Sequence, residues 1–556
     1  MVDKLKNNDM NLNQYSNISN GMHIMSHFDF SKTILLNIPT IYPDYIGRGL
    51  GRKTHLGTAP KSPKGDLKLQ LYRIASLKNK TLFSSYCLSP QRQTCFFRMV
   101  IFVLLIGYSP LSLKAIVCSE KGQIFNVLKY GAVGDGKTVD TKAIQKAIDE
   151  ASKAAGKARV LIPSGHKFLI GTVYLKSNID FCLEGNAELL VSTNQSDYTG
   201  EAAVMAEGAD NLKISGTGSI NGRALEFMSH FEAENGWWIP KEWRPKLFIL
   251  TSCNKLDIRD ITIEKAPLWS LHMLGCEHVL IDNIKIKNNL DVPNCDGIDP
   301  DHCRNVEIRN CSIFCGDDAI VVKATRQEKD YGPSSNIWVH NCTLETQDSG
   351  LKVGTETTQD IFNIVFEKCT IKTSCRGLTI QLRDEGNVFN VLFKDITFVS
   401  QYYSNPWWGR GEAISFTAIP RNPGSQLGTI HDIQVQNVQG LSENSVRING
   451  TKESRINNVS FSKVNITMNR STSFAGGLFD NRPTKAYDGI EKHGNPGYYV
   501  RFADNISLND CSINWGQNIP DYFTHAIEAH DVTGLKIERF EGKAAHPERD
   551  QAIVIP

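Results

Sequence analysis

No stretch of this chain stays apolar for the roughly 20 residues that a bilayer-crossing helix needs. The most apolar run, Val100–Gly107, is far shorter. A phosphate-cradling loop is missing too. The glycines of Tyr130–Gly136 follow neither the GK[ST] nor the GxGxxG spacing and read as a turn ahead of a helix. Charge of one sign is scarce: 61 lysines and arginines against 59 acids leave a formal +2 over 556 residues. With no basic block or stripe, nucleic acid is not an expected partner. The 14 cysteines show no metal-ligand spacing, so neither a metal nor a cofactor is expected. What is present is 41% hydrophobic and 22% charged, the composition of a folded globular domain.

Three regions differ in character. Residues 1–98 are rich in Asn, Lys and Ser without periodicity, and read as a disordered or extra translated extension. Residues 99–119 start at Met99 after Phe97-Arg98, run through Val100–Gly107 and end in small residues around Ala115 to Ser119. That is the layout of a secretory signal peptide, so Met99 is the expected biological start. The expected destination is the extracellular space or cell wall, with no membrane association in the mature form. Residues 120–556 form the third region. It holds 11 cysteines, an odd number, so at least one is expected to stay unpaired. Asn194, Asn449, Asn458 and Asn505 head glycosylation triplets, of which only some need carry glycan.

Inside the third region one pattern recurs: a polar residue, apolar-x-apolar, two turn residues, apolar-x-apolar. It begins at Leu256, Val279, Val306, Ile337, Ile364 and Val391, at intervals of 23, 27, 31, 27 and 27 residues. Further copies start at Val459, Ile506 and Leu535, with a degenerate one at Ile433. Alternation with period two means strands, and a repeat in the twenties means a solenoid. Each unit is too short to include a helix. The expected fold is all-β, a right-handed parallel β-helix. A helix after Asp140, with its stripe at Ala143, Ile144, Ala147 and Ile148, is expected to cap the N-terminal end.

Two acidic clusters interrupt the pattern: Asn294-Cys295-Asp296 and Gly316-Asp317-Asp318. Taken singly, each reads equally well as a turn. Laying the third strand of each coil in register by its small-apolar step (Gly297-Ile298, Ala319-Ile320, Gly350-Leu351, Gly377-Leu378) stacks Asp296 beneath Asp318. Asp317 then lies to the side, and Ser349 and Arg376 continue the column. Three clustered carboxylates keep at least one proton above the usual range, as an acid and a base flanking a glycosidic bond require. A gap of roughly 6.5–9.5 Å between them would mean inversion.

The run Asn-Cys-Asp-Gly-Ile-Asp-Pro-Asp and the later Gly-Asp-Asp resemble glycoside hydrolase family 28, the polygalacturonase family, from about Phe125 onward. The resemblance implies that Asp296 and Asp318 act as bases and Asp317 as general acid. It also implies a secreted, inverting hydrolase of pectic polysaccharide, acting on α-1,4-galacturonan. Two family motifs are altered. Ser349 stands at the histidine of Gly-His-Gly, and Thr379-Ile380-Gln381 stands for the Arg-Ile-Lys that grips the substrate carboxylate. The loss admits a rhamnogalacturonan or other substituted pectin, or a non-catalytic pectin-binding protein. Lys323, Lys352, Arg376 and Arg383 are the candidate replacement cations and Gln381 a candidate substrate contact, and the cations suit solvated groove positions equally well. Trp408 and Arg410 in an aromatic loop are candidate sugar contacts, and the same loop residues also suit packing onto the barrel. A monomer is expected.

Overall fold

The computed structural model describes residues 122–556. The readings made for residues 1–98 and 99–119 lie outside the described residues. Beyond Gln123 the chain winds as a right-handed parallel β-helix in which short strands pair with the equivalent strand one coil away. The register follows the sequence repeat: Val306 pairs with Ile337, Ile337 with Ile364 and Ile364 with Val391. The copy expected to be degenerate is regular, because Ile433 pairs with Val391 on one side and Val459 on the other. Inward positions of these strands form one continuous apolar core.

The polar residue that opens each repeat bends the chain. Asn305, Asn336, Asn363 and Asn390 all adopt a left-handed backbone with φ of 57, 56, 56 and 54°. Asparagine tolerates this conformation better than most L-residues. Their amides then form a ladder: Asn336 donates to Asn305 at 3.1 Å, Asn363 to Asn336 at 3.0 Å and Asn390 to Asn363 at 3.3 Å. Turn chemistry and coil-to-coil bonding are thus met by the same side chain.

The helix spans Thr141–Ala151 and buries Ile144, Ala147, Ile148 and Ala151 against the first coils. Ala143, expected in that stripe, is only half-buried. Asp140 precedes the helix but does not cap its amides. Its carboxylate accepts instead from Val133 N at 2.7 Å and Gly134 N at 3.0 Å, closing the glycine loop. Among the described residues ten cysteines are buried free thiols and Cys182 is disulfide-bonded. Cys311, Cys342 and Cys369 stack in one inward column, the packing role expected of them. Asn194, Asn458 and Asn505 are exposed, whereas Asn449 is buried and carries no accessible glycosylation triplet.

Three insertions rise from the coils beside the acidic clusters. One is the antiparallel hairpin Met228–Glu232 with Trp237–Pro240. The second is the loop 401–411, and the third the hairpin Leu478–Asp480 with Ile490–Lys492. Ser404 Oγ donates to Asn235 O at 2.7 Å, and Trp237 meets Trp407 edge-on at 5.8 Å, so the first two join. Among the described residues no helix is long and apolar enough to cross a membrane.

Candidate active site

Consecutive coils line up Lys246, Trp269, Asp296, Asp318, Ser349, Arg376, Glu412 and Asn444 in one column. Neighbouring rungs lie about 4.8 Å apart, which brings together acids 22 residues apart in sequence. One carboxylate oxygen from each of Asp296, Asp317 and Asp318 lies within 4.8 Å of the other two. Asp296 and Asp318 are each 2% exposed, while Asp317 is half-buried and is the member open to solvent. The nearest oxygens are closer than the carboxyl separation usual for inversion.

Small residues make this approach possible. Gly297 has Ala319 O only 2.3 Å from where a Cβ would stand, and Gly316 has Val292 O at 2.3 Å. Any larger side chain at either position would push the two acidic turns apart. Asp317 is then fixed by its own surroundings: Oδ2 accepts from Asn294 N at 3.0 Å and Oδ1 from Asp318 N at 2.9 Å. Arg244 locks the Asn294 turn by donating to Asn294 Oδ1 at 2.5 Å and Pro293 O at 2.7 Å.

Two buried lysines, both anticipated as groove cations, sit against the trio. Lys352 Nζ donates to Asp318 Oδ2 at 2.7 Å. Lys323 Nζ lies 3.4 Å from Glu356, 3.6 Å from Asp296 and 3.7 Å from Asp299. Burial works against the Lys323 ammonium, but Glu356 and the three aspartates Asp296, Asp299 and Asp318 hold its pKa well above the ordinary value. Glu356 is pushed by burial towards the neutral form and held down to about 2 by Lys323 and Arg421. Asp296 goes the other way. Burial, then Asp299 and Asp317, raise it well above the carboxylate range. Burial also raises Asp299, to about 7, and Asp317 is raised by burial and by Asp318 beside it. The site therefore holds protonated and ionised acids side by side near neutral pH.

Ser349, at the position of the family histidine, donates to Asp348 Oδ1 at 3.0 Å. Asp348 is a buried fourth acid whose pKa burial and Asp318 raise well above normal. Arg376 and Arg383, expected to reach substrate, are both fully buried. Arg376 lies 3.7 Å from Asp480, 3.8 Å from Glu412 and 3.9 Å from Asp348. Arg383 donates to Leu382 O at 3.0 Å and Thr417 Oγ1 at 3.1 Å. Both are committed to protein partners, because the insertion at 478–492 covers the strand face they share. Gln381 Nε2 donates to Arg482 O at 3.2 Å under the same cover. Arg410 is buried too, its guanidinium 4.4 Å over the Tyr402 ring, whereas Trp408 in the same loop stays half-buried.

The sequence reading passed over Asp299, Glu356, Lys246, Trp269 and His272. Glu356 reaches Lys323 through a bulge, since Val322 pairs with Val353 but Ala324 with Thr357, and no periodicity reports such an irregularity. The other four follow from carrying the same register backward or along the strand.

A family model described as glycosyl hydrolases family 28 matches residues 153–476. A probable polygalacturonase of Vitis vinifera is 29% identical over 328 residues, covering 52% of this chain and 64% of that one. An exopolygalacturonase of Zea mays is 27% identical over 260 residues, covering 42% and 63%. The chain thus spans less than two thirds of the length of these curated relatives. Among solved structures, the family 28 exopolygalacturonase of Yersinia enterocolitica superposes with a TM-score of 0.57 at 18% identity, covering 75% of this chain and 79% of that one. A hyperthermoactive exopolygalacturonase from Thermotoga maritima gives 0.56 at 22%, covering 71% and 93%. These two likenesses agree with the β-helix, and the matched segment contains all three clustered aspartates. The chain belongs to glycosyl hydrolases family 28.

Proposed function

We propose that this protein is a secreted, inverting hydrolase of pectic polysaccharide in the cell wall, acting on galacturonan as a monomer. The observation that carries the hydrolase reading is the convergence of Asp296, Asp317 and Asp318 within 4.8 Å, with Asp317 the one of the three open to solvent; inversion rests on the family resemblance, since the nearest oxygens stand closer than the usual inverting separation. Asp317, whose pKa burial and Asp318 raise, gives its proton to the glycosidic oxygen as the C1–O bond breaks. Asp318 draws a proton from a water that attacks C1 from the opposite face, and Asp296 beside it hydrogen-bonds that water. Lys352 Nζ donates to Asp318 Oδ2 at 2.7 Å and holds that carboxylate in place.

The groove has one covered side. Past Asp318, the outward-facing Thr379, Gln381, Ser415 and Arg447 are almost completely buried. Asp480, Asn481 and Arg482 lie over them through bonds from Arg447, Arg383 and Gln381. On the other side Lys246 and Trp269 are half-buried. A polymer with free ends on both sides does not fit this arrangement, so we read the cleavage as exo, removing sugars from a chain end. The exopolygalacturonase relatives support that choice.

A second reading, cleavage of rhamnogalacturonan or another substituted pectin, draws on Gln381. Its Nε2 is used on Arg482 O, leaving Oε1 buried without a partner. Sealed there, Oε1 meets no sugar, and the second reading rests on the cations that Thr379 and Gln381 replace.

Product analysis separates these readings. On polygalacturonate the exo hydrolase releases small saturated sugars while viscosity falls slowly, and proton NMR of the first turnover shows the inverted anomer. Release from rhamnogalacturonan alone would select the second reading. An unsaturated product, or no release from either polymer, would contradict both.

A further inference from the structure

Three ammonium groups surround the catalytic trio, and two are neutralised by the protein itself. Lys352 is paired with Asp318 at 2.7 Å, and Lys323 is shared among Asp296, Asp299 and Glu356 within 3.7 Å. Lys246 is different. Among the described residues it makes no ion pair; burial lowers its pKa, and Glu201, Asp299 and Asp301 oppose that only through space. It is also the one of the three that remains half-buried and not enclosed.

Its position is fixed from behind. Lys246 Nζ stands 3.9 Å over the Trp269 ring and 3.3 Å from His272 Nδ1. The far nitrogen of that imidazole, Nε2, is 3.0 Å from Asp301 Oδ2. Asp301 also accepts from Thr325 N at 2.9 Å, so the carboxylate itself cannot swing. An ionised Asp301 takes the Nε2 proton, which leaves Nδ1 as an acceptor facing Lys246. The chain Asp301–His272–Lys246 thus holds an ammonium while leaving its remaining protons unused. Lys246 lies two rungs from Asp296 in the catalytic column, on the uncovered side. A sugar ring lying next to the scissile bond on that side comes within reach of it.

We propose that Lys246, held by Trp269 and His272, is a specificity residue that receives the carboxylate of a uronate ring on the open side of the catalytic rung. This inference rests on the reading of the protein as a pectin-cleaving hydrolase. It holds for galacturonan and for any substituted pectin with a galacturonate at that place. Lys246 thereby supplies a charge that Thr379 and Gln381 do not offer on the covered side.

The test compares wild type, Lys246→Met and Lys246→Arg on galacturonate oligomers and on the same oligomers fully methyl-esterified. KM and kcat are read separately, and calorimetric binding is measured in an Asp317→Asn background. Loss of one charge-assisted contact is expected to raise KM and Kd for the acid oligomer by about 10–100-fold, with kcat changing far less. Lys246→Arg is expected to recover most of the affinity, and the ester to bind both forms alike. Added salt is expected to weaken wild type but not Lys246→Met. Equal affinity of wild type and Lys246→Met for the acid oligomer would overturn the proposal, and so would an equal loss on acid and ester. Wild type that neither binds nor cleaves any pectic oligomer would overturn the hydrolase reading as well, which is a distinguishable result.

Discussion

A single buried ammonium touches one aspartate of the Gly-Asp-Asp turn and acts on the charge of the other. Lys352 bonds Asp318 at 2.7 Å, and its charge also opposes the rise in the Asp317 pKa. Asp317 acts only while protonated, so activity falls as pH rises through its pKa. Removing the nearby cation raises that pKa further, because the ionised form loses a favourable charge. Lys352→Met is therefore expected to shift the alkaline limb of the kcat/KM profile to higher pH, besides lowering the maximum. A profile lower in height but with an unmoved limb would show that Lys352 does not act on the acid. At this scale much was legible from sequence. The three aspartates came from two acidic clusters laid in register and from the family resemblance, and Lys323 and Lys352 from strand parity. Arg376 and Arg383 had the right parity but the wrong environment, because what covers them lies about a hundred residues further on. Arg383 donates to Asn481 O, and Asp480 faces Arg376.

The strand Ile298–Asp301 illustrates what a coil tolerates to hold such a site. Its residues are all buried, including Asp299 and Asp301. Asp301 is pushed up by burial but held down to about 2 by its bonds and charges with His272 and His302. Asp299 is less well matched: both its oxygens are buried without a hydrogen bond, Lys323 stands 3.7 Å away, and burial raises it to about 7. A folded pKa above the unfolded one means that the folded state binds more protons between about pH 4 and pH 7. The contribution is fully present below pH 4 and is lost as pH rises through 7, when the strand must hold a charge. Asp299→Asn removes that liability. The variant is expected to melt above wild type at pH 8, by an amount corresponding to at most about 4 kcal/mol, with the gap closing by pH 4. Melting curves across that range check it, and a gap of equal size at both pH values would refute the assignment. Nothing in the repeat distinguished Asp299 from Asp301, since both sit in one acidic run. Their difference arises from His272, a coil away.

At the largest scale, residues 122–556 are a ladder whose rungs are legible and whose attachments are not. Alternation and a repeat in the twenties predict the coils, their register and the stacking of Asp296 on Asp318. The αL asparagines sharpen that register, because each marks the same bend in its coil. The covering of the groove did not follow from any local pattern. The hairpins at 228–240 and 478–492 and the loop at 401–411 appear in sequence only as longer gaps between repeats. Their paths are set by single contacts such as Ser404 to Asn235 and Gln381 to Arg482. Such bonds between distant segments obey no period. They decide which side of the catalytic rung is open, and so whether chain ends or interior linkages are presented to the acids. Beneath these details lies one claim, that the ladder gathers an acid and its bases around a sugar linkage. The most direct measurement is the turnover of purified protein on pectic substrate beside Asp317→Asn, a change that keeps shape and removes the transferable proton. The expected result is a folded variant whose kcat is lower by about 10²–10⁴-fold; a variant that turns over as fast as wild type would contradict the account.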